Sequence, residues 1–169
     1  MITREHRGAD KHSTALYSPC EKWRYRLTRT WGPGGHVNFV MLNPSTATEL
    51  QNDPTVERCE RRARTLGFGT FTVTNIFGWR STDPKALYRC DDPVGAGNDA
   101  AILDCATQAD QVICAWGTHG AHLSRGKQVE VLLRGLGKPL MTLGMTQAGH
   151  PKHPLYIGYA EGPKLWDQA

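Results

Sequence analysis

No apolar run in this chain approaches the length of a bilayer span, and the segment Met1–Asp10 is charged, with no apolar stretch of the kind a signal peptide carries. We therefore expect no membrane association and a cytoplasmic location. There is no Cys-x-x-Cys: the five cysteines, Cys20, Cys59, Cys90, Cys105 and Cys114, are scattered and odd in number. That argues against a disulfide framework or a zinc ribbon and implies reduced thiols. Also missing are a Gly-x-x-x-x-Gly-Lys-Ser/Thr loop, a Gly-x-Gly-x-x-Gly following a strand and a Gly-x-Ser-x-Gly elbow. The common nucleotide cofactors and serine-hydrolase chemistry lose support, and no cofactor is expected.

What the chain does have is length for one domain, 169 residues with a core of ordinary size, and a mild excess of positive charge, formally +4. Such an excess permits a phosphate-rich partner without demanding one. Residues 1–14 are polar and aperiodic, which predicts a loose N-terminal segment. From Lys22 to Trp31, Trp23, Tyr25 and Leu27 alternate with Arg24, Arg26 and Thr28, predicting a half-exposed strand whose register fails at Arg29.

Strands are then expected at Val37–Leu42, Thr70–Asn75, Gln111–Trp116 and Pro139–Leu143. Helices starting at Asp53-Pro54, Asn98 and Arg125 lie between them. Alternation of this kind predicts an α/β three-layer sandwich: a central, mainly parallel four-stranded sheet flanked by helices, plus an N-terminal antiparallel strand, in a single domain spanning 1–169. Crossovers of one hand bring every strand-to-helix loop to the same edge. Four loops converge there: Asn43 to Thr48, Asn75 to Pro84, Gly117 to Gly120 and Gly144 to Pro154.

Asn43, Asn75 and His150 stand at or just beyond strand ends. An amide offers a donor and an acceptor in one plane, and a histidine can donate to negative charge on a leaving group. Ser45 shares the first loop. Each has a blander reading, a turn asparagine or a surface histidine; convergence favours function. The pairs His119/His122 and His150/His153 have ligand-like spacing, but no acidic residue accompanies them, and we expect no metal. Arg58, Arg61, Arg62 and Arg64 on the first helix are a solvated face or, alternatively, a phosphate-contacting patch.

Val40-Met-Leu-Asn-Pro-Ser45 resembles the first motif of the uracil-DNA glycosylase superfamily. Val73-Thr-Asn-Ile-Phe-Gly-Trp-Arg80, continuing through Pro84, is similar to that superfamily's strand ending in Asn with a nearby Arg and Pro. Gln111 to Gly117 is similar to its apolar strand ending in Gly, and His150-Pro-Lys-His-Pro-Leu155 to its closing His-Pro-Ser motif. More closely, Ser18-Pro-Cys, Arg24-Tyr-Arg-Leu-Thr-Arg, Leu42-Asn-Pro-Ser-Thr-Ala, Asn52-Asp-Pro-Thr, Thr74-Asn-Ile-Phe and Gly149-His-Pro-Lys-His-Pro-Leu-Tyr together resemble the DUF1643 family, of unknown function.

The glycosylase resemblance implies a uracil-DNA glycosylase-like fold and a monomeric hydrolase of N-glycosidic bonds at a damaged or modified base in nucleic acid, DNA rather than RNA. Asn43 would hold the attacking water and His150 would stabilise the departing base, with His153 as the alternative histidine. Asn75 would recognise the base edge. Ser45, Arg80 and Gly117 would line the substrate site, and Phe77 or Trp79 would stack on the base. Two further readings stay open: an enzyme of free nucleotides or nucleosides, and a non-catalytic nucleic-acid-binding module relying on Arg24–Arg29 and Arg58–Arg64.

Overall fold

In the computed structural model, which describes residues 1–167, eight strands form one sheet in the order β1-β2-β3-β5-β4-β6-β7-β8. The strands are β1 Ile2–Arg7, β2 His12–Tyr17, β3 Arg24–Thr30, β4 His36–Met41, β5 Thr70–Asn75, β6 Gln111–Ala115, β7 Leu140–Thr142 and β8 Lys164–Leu165. The helices are α1 Pro54–Thr65, α2 Asn98–Gln108 and α3 Arg125–Arg134, with 3-10 segments at Pro84–Arg89 and Thr118–Ser124.

The mixed α/β architecture agrees with the alternation in the sequence; the expected mainly parallel sheet does not. The run β5-β4-β6-β7 is parallel, but β1-β2, β2-β3, β3-β5 and β7-β8 pair antiparallel, four of the seven pairings. Residues 1–14, expected to be loose, contribute β1 and half of β2. The reason is geometric: β1 is an edge strand exposed on both faces, so it carries no alternation and is held through its backbone ladder to β2.

Local chemistry explains the helices. Asp53 caps α1 by accepting from the Val56 N–H at 2.8 Å, and Pro54 sits where no amide is needed. Val56, Cys59 and Ala63 pack α1 onto Val37, Phe39, Met41, Phe71 and Val73 on one face of the sheet. On the other face, Val40, Val112 and Cys114 meet Ile102 and Ala106 of α2 and Val129 and Leu133 of α3. The parallel strands are thus buried on both sides, as in covered sheets, with Asn38, Thr72 and Thr74 as buried polar residues among the apolar ones. Asn98 at the start of α2 donates to Asn75 O (2.8 Å) and Ile76 O (3.2 Å), and Arg125 at the start of α3 donates to Ile76 O at 2.7 Å. Both helix starts are pinned to the end of β5.

β3 contains one irregularity. Leu16 pairs with Arg26 but Tyr17 pairs with Arg24, so Tyr25 is an extra residue in β3, a bulge. It turns Arg24 to the same face as Leu27 and Arg29, beneath the loop joining β4 to α1. Arg29 donates to Thr48 O (2.6 Å), Gln51 O (3.2 Å) and Asn52 Oδ1 (3.0 Å), and Arg24 donates to Ala47 O (2.8 Å). Removing the Arg29 guanidinium strands these carbonyls inside the protein. Arg29→Met should lower stability by about 3 kcal/mol in urea denaturation, and a loss under about 1 kcal/mol would show that the loop holds without it.

Candidate functional site

β4 leads through α1 to β5 on one side, and β6 leads through α3 to β7 on the other, so the chain reverses direction across the sheet between β4 and β6. A crevice opens beyond the carboxyl ends of strands at such a point. Here it is a cavity of about 380 Å³, within the range for small-molecule sites. β4 and its loop supply Met41, Leu42, Asn43 and Ser45; β5 ends in Asn75; β6 leads into Trp116, Gly117, Thr118 and His119. Arg24, Asp53 and Thr55 line the α1 side, Ser81 and Thr82 another wall, and His153 and Leu155 close it.

The hydrogen-bonding state of these groups can be assigned. The Asn43 amide nitrogen donates to Pro44 O (3.1 Å) and Ser81 O (2.9 Å), which leaves Oδ1 as its free, accepting side. Asn75 is turned the other way: Oδ1 accepts from Arg24 at 3.5 Å, which leaves its N–H groups to donate. His153 Nδ1 accepts from the Leu155 N–H at 3.3 Å, so a neutral imidazole carries its proton on Nε2. Burial pushes the His153 pKa below the usual histidine value, opposed by the negative charge of Asp53. The Asp53 carboxylate is committed to the backbone, its Oδ2 accepting from Ala47 N–H at 3.2 Å and its Oδ1 capping α1.

Gly117 holds its place by backbone conformation. Its φ of +74° disfavours a side chain, and its N–H donates to Pro151 O at 2.7 Å, docking the last loop. That loop is a tight hairpin, with Met145 bridged to Pro151 and the Thr146 N–H donating to His150 O.

Of the residues singled out in the sequence, Asn43, Ser45, Asn75, Gly117 and His153 line this one cavity. Phe77, Arg80 and His150 do not. Phe77 is fully buried between sheet and helices, its ring 5.7 Å from His122, because the strand-end residues after Asn75 turn inward to pack. Arg80 donates to Glu21 O at 3.0 Å and lies over the Tyr17 ring at 5.1 Å. His150 sits at the base of the hairpin turn, its N–H donating to Thr146 Oγ1. Trp79, the other stacking candidate, packs edge-on against Trp23 at 5.0 Å.

Sequence pattern did not point to Arg24, Asp53 or Trp116 as cavity residues, whereas Thr118 and His119 belong to the converging loop Gly117 to Gly120. Arg24 was hidden by the bulge, and Asp53 was legible only as a helix cap. His119 bonds Tyr88 Oη through Nδ1 at 3.0 Å, while His122 packs on the Tyr88 ring, 4.3 Å between centroids. The two histidines therefore do different things. Among the described residues no group of three or more His, Cys, Asp or Glu side chains is placed to hold a metal ion.

Sheet order and cavity together define a mixed α/β protein with a ligand-sized site, apolar with a few polar groups, at the point where its parallel strands diverge. The family model of DUF1643, a protein of unknown function, matches residues 24–155, and the chain belongs to that family. No curated protein and no solved structure matches it.

The half-buried His153 gives the site a pH signature. Its folded pKa lies below the unfolded value, so the unfolded chain takes up a proton first, and stability falls as pH drops below about 6.5. His36, also lowered by burial, adds to the same slope. His153→Gln should flatten the stability loss between about pH 7 and 5 in denaturation series; an unchanged slope would show that His153 is not buried as a neutral ring.

Proposed function

We propose that the cavity binds a nucleobase and that the protein hydrolyses the N-glycosidic bond that holds it. The observation that carries this reading is the complementary set of free groups on one cavity: an acceptor at Asn43 Oδ1, donors at Asn75 Nδ2 and a protonated Nε2 on a neutral His153. In such a reaction positive charge grows on the sugar and negative charge on the base. Asn43 Oδ1 would accept a hydrogen bond from the attacking water, Asn75 would donate to the base edge, and His153 Nε2–H would donate to the departing base. His153 takes the role because it lines the cavity. A uracil-DNA glycosylase-like fold belongs to this proposal, drawing on the motif resemblance and on the sheet-end position of the cavity.

A second reading, that the base arrives on a free nucleoside or nucleotide, is favoured by one feature of the surface. The arginines that would form a phosphate-contacting patch are engaged within the protein. Arg24 and Arg29 are buried; Arg58 and Arg62 donate to backbone carbonyls of residues 154–161; Arg61 and Arg64 pair with Glu57 and Glu60. A base in duplex DNA would also have to be extruded.

The assay is release of base from uracil, hypoxanthine and modified-pyrimidine oligonucleotides beside the matching nucleosides and nucleotides. Asn43→Ala and His153→Ala should each reduce the rate by about 10²-fold or more, while His150→Ala should leave it largely unchanged. Absence of base release across both substrate sets sinks the hydrolase. Release from nucleosides without release from oligonucleotides selects the second reading.

A further inference from the structure

Arg24 and Arg29 lie on the same face of β3 and serve the same loop, yet their environments differ. Arg29 is better matched: its Nε and Nη2 donate to Asn52 Oδ1, Thr48 O and Gln51 O, and its Nη1 reaches Thr28 O at 3.5 Å. Arg24 is 1% exposed and has one good hydrogen bond, Nη1 to Ala47 O at 2.8 Å; its Nη2 reaches Asn75 Oδ1 at a long 3.5 Å, and its Nε has no partner. A guanidinium has five N–H donors, and buried charged donors left unmatched are costly, so native proteins seldom keep them without use. This one lines the cavity.

The opposing charge is incomplete. Asp53 is the main negative group acting on Arg24, but both its oxygens are held by backbone N–H groups of α1 and the loop. Tyr17 acts in the same direction, while Arg29 and Arg80 add positive charge. Burial lowers the Arg24 pKa to about 10, which leaves it a cation at neutral pH. The other groups whose hydrogen bonding is assigned, Asn75 and His153, turn donors toward the cavity, and the Asn43 acceptor is on a different wall.

We propose that Arg24 is the anion-binding group of this cavity, and that the species it takes is a heterocycle carrying delocalised negative charge, the nucleobase anion. The inference rests on the nucleobase reading and adds a charge to it. When the C1′–N bond breaks, its electron pair goes to the base nitrogen; water oxygen bonds to C1′, its proton passes to solvent, and the base is later reprotonated from solvent. Between those events the base is an anion, and Arg24 is the cation that faces it. The bulge at Tyr25 is what puts it there.

The test uses two probes with the same pyrimidine ring: uracil, neutral at pH 7.5, and 5-nitrouracil, whose C5 nitro group makes it ionised there. Calorimetric titration of the intact protein should show 5-nitrouracil binding about ten- to a hundredfold tighter. That preference should disappear in Arg24→Gln and persist in part in Arg24→Lys. Because Arg24 also holds Ala47 O, the wild-type protein provides a second readout that needs no variant: the Arg24 Nε–H resonance should shift with 5-nitrouracil and stay in place with uracil. Equal affinity for the two probes, no binding of either, or an unmoved Arg24 resonance overturns the inference. Arg24-dependent binding of the anion by a protein that releases no base would leave the anion site standing and remove the hydrolase. Base release without anion preference would do the reverse.

Discussion

The loop from Asn43 to Asn52 is the piece on which the site depends, and apart from the buried Ala47 it is held by hydrogen bonds from buried charged groups. It contributes Asn43 and Ser45 to the cavity and ends at the cap of α1, yet it has little regular structure of its own. Its carbonyls at Ala47, Thr48 and Gln51 point inward, where they would be unsatisfied without the two buried arginines of β3. Asp53 closes the arrangement from the other end by accepting from both Ala47 and Val56 N–H. A loop tied at both ends to rigid elements can present polar side chains with little of the ordering cost that a free loop would incur on binding.

The antiparallel half of the sheet has a role in this. A four-stranded parallel sheet alone would leave β5 as an edge. Here β3 pairs with β5 in register, Leu27 opposite Val73 and Arg29 opposite Phe71, and so carries its arginines under the loop. β2 and β1 continue the sheet beyond it, and the β2–β3 bulge selects which side of β3 Arg24 takes. The extension therefore does more than cover an edge: it brings the cation to a pocket built by strands more distant in sequence.

How much of the fold and the cavity was legible in the sequence depends on which interactions are local. Asp53-Pro54, Thr70–Asn75 and the apolar spacing of α1 are local signals, and each element is where they place it. The convergence of Asn43, Asn75, Gly117 and His153 was also accessible, because parallel strands joined by helices put their ends on one edge. What could not be seen was pairing. No local pattern distinguishes a half-exposed Trp23-Arg24-Tyr25-Arg26 strand from a buried one with an extra residue, since the bulge exists only relative to β2. The N-terminal strands were hidden for the same reason: the stability of β1 comes from a partner, not from its own composition. Phe77 and Arg80 come after a strand end just as Asn43 does, but the chain after Asn75 turns into the core, and sequence spacing carries no record of that turn.

These two kinds of information meet in Asn75. Its position at the end of β5 is a sequence fact; the direction of its amide is not. Alone, an asparagine at a strand end could present either face to a ligand. Arg24 can only donate, so it engages Oδ1 and turns Nδ2 toward the cavity, while backbone carbonyls at Pro44 and Ser81 turn Asn43 the opposite way. Two residues of the same type thereby acquire opposite polarity, one accepting and one donating. The selectivity of the cavity is accordingly written less in the residues that line it than in the neighbours that orient them.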